Sequence, residues 1–105
     1  MAIYELRTYT LYVATRIEAM EMYKTKVWPV VQKFEKNLVG YFIGDIGALN
    51  ELVHIWKFED DNDRRRFWGE VMADPEFGTV IKHMRPMIQK QENKLLLEAP
   101  WGPHP

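Results

Sequence analysis

Two periodicities alternate along this chain, and their order is what most limits the folds open to it. Residues Ile3 to about Tyr12 are rich in Tyr, Thr and Leu, with no Gly or Pro, and read as a strand. Ile17, Met20, Val27, Val31 and Phe34 then recur at helical spacing. Thr15 and Glu18 fit a capping box at the start of that helix. Pro29 lacks a backbone donor, so the helix should kink or split over Thr25 to Trp28 and end near Asn37. LVGYFIGDIG follows as a second strand whose glycines permit bends. GALN is a hairpin connection, and ELVHIWKFE is a third strand. Asp60 or Asp61 caps a second helix bearing Phe67, Trp68, Val71 and Met72. At Asp74-Pro75 it is interrupted, with Asp as cap and Pro opening a new turn. Phe77, Val80, Ile81 and Met84 carry the apolar stripe to Arg85-Pro86. A last strand runs from about Gln89 to Glu98. The tail APWGPHP, about 99–105, holds three prolines and should be an extended arm.

Strand, helix, strand, strand, helix, strand is the ferredoxin-like βαββαβ arrangement. It is an α+β fold: a four-stranded antiparallel sheet with both helices on one face. At 105 residues the chain is expected to form a single domain spanning 1–105. Hydrophobic residues make up 47%, enough for a core, and the aromatic share of 13% is high for so short a chain. Surplus apolar surface on a small domain tends to end in a subunit interface.

The run LVHIWKF has no polar side, so both its faces are expected to be covered. Val53 and Ile55 form its more uniformly apolar set and are assigned to the helices. Leu52, His54, Trp56 and Phe58 then fall on the open face. A hairpin tip at Ala48 and Leu49 places Ile43 opposite His54 and Tyr41 opposite Trp56, on that same side. Leu6 suits the helices, which sends Glu5, Arg7 and Tyr9 to the open face. An apolar floor of this size calls for a second copy of the sheet stacked on it, a two-fold homodimer enclosing a barrel. A one-residue change of register would turn every one of these side chains over.

Charge and cysteine content narrow the function. Fourteen Lys and Arg against 15 Asp and Glu leave a net charge of −1, which argues against an electrostatic nucleic-acid binder. The cluster Arg64-Arg65-Arg66 closely follows three aspartates, ordinary design for a solvated helix start. No cysteine means no disulfide and no thiolate metal site. The N-terminus lacks the apolar core of a signal peptide or membrane span, so a cytoplasmic protein is expected.

His54 is the candidate catalytic residue, as acid or base near neutral pH or as a ligand. The competing reading is a core histidine bonded to Tyr, Glu or a carbonyl. Arg7 can hold an anion through two parallel hydrogen bonds, or simply pair with Glu5 two residues away. Tyr9, Tyr41 and Trp56 suit either a ligand pocket or an interface core. No His/Asp/Glu spacing matches a metal triad, no glycine-rich phosphate loop is present, and no cofactor is expected. Haem with His54 as axial ligand is the remaining cofactor alternative.

YELRTYTL, GYFIGDIGALNELVHIWKFED, ADPEF and RPMIQKQENKLL, in this order and spacing, resemble the NIPSNAP family. The resemblance covers Ile3 to Pro100. It implies a place in the dimeric α+β barrel superfamily, whose members include cofactor-free monooxygenases, haem-degrading enzymes and isomerases acting inside the barrel. It supplies no reaction for NIPSNAP proteins as a family trait. Longer animal members are linked to mitochondria and vesicles and carry further sequence; a single short domain looks like a bacterial member. Arg7, Tyr9, Asn50, His54, Trp56, Arg85, Gln91, Glu92 and Asn93 sit at recurrent motif positions. Of these, Asn93 joins Arg7, Tyr9, Tyr41 and Trp56 as a candidate ligand-binding residue. The functional expectation is a homodimer binding or converting a small molecule in the barrel. Its alternative is a non-enzymatic interaction module with a solidly packed barrel.

Overall fold

The computed structural model describes residues 2–105. Its strands are β1 (Ile3–Leu11), β2 (Leu38–Ile43), β3 (Glu51–Phe58) and β4 (Ile88–Leu97). They pair antiparallel in the order β2-β3-β1-β4. One face is covered by α1 (Arg16–Met22), α2 (Trp28–Val31), α3 (Asp61–Ala73) and α4 (Pro75–Met84). This is the ferredoxin-like arrangement expected from the order of periodicities. Among the described residues no helix is long and apolar enough to cross a membrane.

The first helical stretch, 13–37, is not uniform. Between α1 and α2 it widens into a π-type segment, Tyr23–Val27. Pro29 accounts for this: it has no N–H to give, and its ring crowds the carbonyl one turn earlier. A π-type widening absorbs both defects, where the sequence places the break. Thr15 stands at the N-cap of α1 but makes no capping bond, so the expected capping box with Glu18 does not form. The other caps do. Asp60 accepts from the Asp63 N–H at 2.8 Å. Asp74 accepts from the Glu76 and Phe77 N–H groups at 2.9 and 3.1 Å, with Pro75 opening α4.

In the β2–β3 hairpin, Tyr41 faces His54 and Ile43 faces Leu52, two residues from the expected pairing. The connection, 44–50, turns through Gly47 at φ +90°, a conformation that favours glycine. At Gly44 a Cβ would stand 2.1 Å from the Ala48 carbonyl oxygen, so only glycine fits.

The two sheet faces are the reverse of the expectation. Leu52, His54, Trp56 and Phe58 are buried beneath the helices together with Glu5, Arg7, Tyr9 and Leu11. Leu6, Val53 and Ile55 lie on the opposite face, with Phe42 and Leu96 exposed beside them. Uniform apolarity is the weaker criterion; buried area is the stronger. Trp56, Phe58 and Leu52 bring more apolar surface under the helices than Val53 and Ile55 would. Phe67 and Trp68 of α3 pack on Trp56 at centroid distances of 5.2 and 5.4 Å. The tail turns back onto the uncovered face, where the Tyr4 hydroxyl meets Glu98 Oε2 at 2.7 Å.

Candidate functional site

Beneath the helices lies a sealed polar network. The Glu5 carboxylate is fully buried and accepts from Arg7 Nη1 at 2.6 Å, Arg64 Nη1 at 3.1 Å and Trp68 Nε1 at 3.0 Å. Arg7 also donates to the Tyr9 hydroxyl at 3.2 Å, and its guanidinium sits 4.4 Å from the Trp68 ring centre. A buried carboxylate facing two guanidiniums and an indole N–H is satisfied on both oxygens.

His54 is held by its neighbours on the strand. Trp56 Nε1 donates to His54 Nδ1 at 2.6 Å. Indole nitrogen can only donate, so Nδ1 must accept, and the neutral ring carries its proton on Nε2. That Nε2 and Arg7 Nε, on strand partners facing each other across β1 and β3, are buried with no partner among the described residues. Burial, with a smaller push from Arg7, lowers the His54 pKa to about 3. The ring is therefore neutral at physiological pH, and its one lone pair is engaged. His54 is arranged as a hydrogen-bond donor rather than a general base, and as a haem ligand it would have to surrender the Trp56 bond.

Tyr41 connects this network to the surface. Its ring stacks on His54, 4.7 Å away and 13° from parallel. It also forms the wall of a cleft of about 410 Å³ between the α1–α2 stretch and the β2–β3 edge. Met20, Trp28, Leu38, Ile43 and Leu52 make the cleft apolar; Tyr23, Tyr41 and Lys24 are its polar members. The Tyr23 and Tyr41 hydroxyls are hydrogen-bonded to each other. Burial is the main cause that raises both phenols above their ordinary pKa, so both stay protonated. The Pro29-induced widening contains Tyr23 and Lys24 and delivers Trp28 next to them.

Arg7, Tyr9, Tyr41, His54 and Trp56 thus come together as the sequence suggests, but under the chain's own helices rather than toward a partner. Of these, Tyr41 alone reaches the cleft. Asn93 does not join them. It pairs with Arg7 in register, yet edge strand β4 is uncovered there, and its exposed side chain accepts from Gln91 at 3.2 Å. Arg65 and Arg66 are solvated as expected, but Arg64 turns inward to the buried Glu5 carboxylate. No expectation attached to Trp68, Tyr23, Lys24 or Trp28 as site residues. Pro29 was the one local signal for the last three, since it marks where the helix must open.

Fold and site together define a ferredoxin-like α+β domain with an apolar cleft at one sheet edge, backed by a sealed polar network. Solved structures of this class share the architecture. A NIPSNAP family protein of unknown function from Agrobacterium tumefaciens is 32% identical, with TM-score 0.87 over 97% of this chain and 92% of its own. A NIPSNAP-like domain protein from Burkholderia xenovorans is 31% identical, with TM-score 0.87 over 98% and 90%. An antibiotic biosynthesis monooxygenase has TM-score 0.65 at 13% identity, over 93% and 99%, a likeness of fold alone. A sequence model of the NIPSNAP family matches residues 4–103, and the chain belongs to that family. Among curated relatives, NipSnap homolog 2 of Danio rerio is 26% identical over 90% of this chain. The chain spans only 32% of that protein's length.

Proposed function

We propose that this NIPSNAP domain binds a small molecule in the cleft bounded by Tyr23 and Tyr41, and that it works as a homodimer. The observation that carries the reading is the cleft itself. Its volume of about 410 Å³ falls in the range of small-ligand sites, which are mostly apolar with a few placed polar groups. A network already sealed beneath Tyr41 gives that wall a rigid backing, so the cleft need not form on binding. The dimer reading rests on the open sheet face, where Leu6, Val53 and Ile55 stand with exposed Phe42 and Leu96. A second copy stacked there removes that surface from water.

The test is a titration with the neutral probe 2-naphthylmethanol, followed through the four tryptophan indole N–H resonances. The Trp28 signal, identified by its loss in Trp28→Phe, is expected to shift saturably, while that of Trp101 on the tail stays in place. A Trp28 resonance that moves with neither this alcohol nor the matching acids 2-naphthoate and 2-naphthol at millimolar probe removes the cleft as a ligand site.

A further inference from the structure

We infer that the ligand of this cleft is an apolar weak acid, bound as its anion through the Tyr23–Tyr41 hydroxyl pair with Lys24 beside it. This rests on the cleft being the ligand site and adds the chemical class of what it takes. The first ground is a count of protons. Two phenol hydroxyls carry two protons but share one hydrogen bond, so one O–H donates to the other and the second proton is left to donate elsewhere. Neither hydroxyl has another hydrogen-bond partner among the described residues. Both tyrosines line the cleft, so the pair supplies a net donor within its wall.

The second ground is charge. Lys24 lines the cleft, and no carboxylate does. Glu5, the buried acid of the neighbouring network, is fully committed to Arg7, Arg64 and Trp68 and adds no free negative charge. Burial outweighs the pull of the Arg7 guanidinium at both phenol oxygens and keeps their protons in place, which preserves the donor. A donor proton, a cation and no competing acid select an acceptor that is itself negative, since hydrogen bonds to an ionised group are about twice as strong as neutral ones. The five apolar wall residues require the rest of the ligand to be hydrocarbon or aromatic. A carboxylate and a phenolate or enolate share this chemistry.

The experiment compares 2-naphthoate and 2-naphthol, both acids, with neutral 2-naphthylmethanol, on the same Trp28 indole resonance at pH 7. Naphthoate is expected to bind at least about tenfold tighter than the alcohol, the scale of one charge-assisted hydrogen bond. Naphthol raised to pH 10 is expected to gain over its neutral form if phenolates are accepted; no gain restricts the class to carboxylates. Tyr23→Phe with Tyr41→Phe should bring naphthoate down to the alcohol. Either single change should cost less, because the surviving hydroxyl can still donate. Lys24→Gln, on an exposed side chain that does not threaten folding, should reduce the preference and its salt dependence. Equal affinity for naphthoate and the alcohol overturns the acid assignment while leaving the cleft a binding site. A preference that survives both Lys24→Gln and the double change also overturns it. Failure of all three probes to shift Trp28 removes the cleft reading as well.

Discussion

At the scale of single residues, His54 illustrates how the environment overrides a side chain's ordinary chemistry. Free histidine titrates near neutrality, but here the ring is buried and Trp56 occupies its lone pair. The folded-state pKa of about 3 lies below the unfolded value of 6.5, so the unfolded chain takes up the proton first. The contribution of neutral His54 is therefore complete above pH 6.5 and is lost as pH falls toward 3. Within that window each pH unit costs up to about 1.4 kcal/mol. Urea unfolding at pH 6.5 and pH 5 should show a loss of roughly 2 kcal/mol. His54→Asn keeps an acceptor for the Trp56 N–H but does not titrate, so its stability should be nearly flat across the same interval. Asp61, Asp63, Asp74 and Glu98, all held below ordinary carboxylate values by their partners, lose their contributions at lower pH. An equal slope in wild type and His54→Asn would show that His54 is not the titrating group.

At the scale of elements, the helix boundaries are set by short-range chemistry. Asp74 accepts two backbone N–H bonds at the start of α4 and also receives Lys33 Nζ at 2.6 Å. Removing the cap in Asp74→Ala should cost about 1–2 kcal/mol in urea unfolding. The half-exposed Lys33 pair adds little of that. Asp74→Asn keeps the cap and loses the charge, and is expected to retain most of the stability; an Asn variant as weak as Ala would make the ion pair, not the cap, the main contribution. Such caps, and the break forced by Pro29, were legible in the sequence because each depends on residues within one turn. The capping box at Thr15 was misread because the chain enters α1 through a 3₁₀ turn, Val13–Thr15, that carries no side-chain cap.

At the scale of the whole molecule, the exposed side of the sheet is where a second subunit is proposed to sit. Ile55 pairs with Leu6 at the middle of that side, and Ile55→Lys places a charge there. Sedimentation velocity at micromolar concentration is expected to give a two-subunit particle for the wild type and a single subunit for Ile55→Lys, with unchanged circular dichroism. A wild type that sediments as one subunit under these conditions removes the dimer.

The order of strands and helices, their caps and the helix break at Pro29 follow from sequence alone, because periodicity and capping act over a few residues. The same alternation sorted each strand into two sets correctly: Leu52, His54, Trp56 and Phe58 do share a side, as do Glu5, Arg7 and Tyr9. Which set goes under the helices was decided only by tertiary structure. Burying Glu5 needs Arg64 and Trp68 from 59 and 63 residues away, and no pattern within β1 announces donors on α3. The cleft has the same origin, since Tyr23 and Tyr41 meet only when the widened helix packs against the β2 edge. Local spacing fixes what a segment becomes; buried apolar area fixes where it faces, provided distant donors can satisfy the charges buried with it.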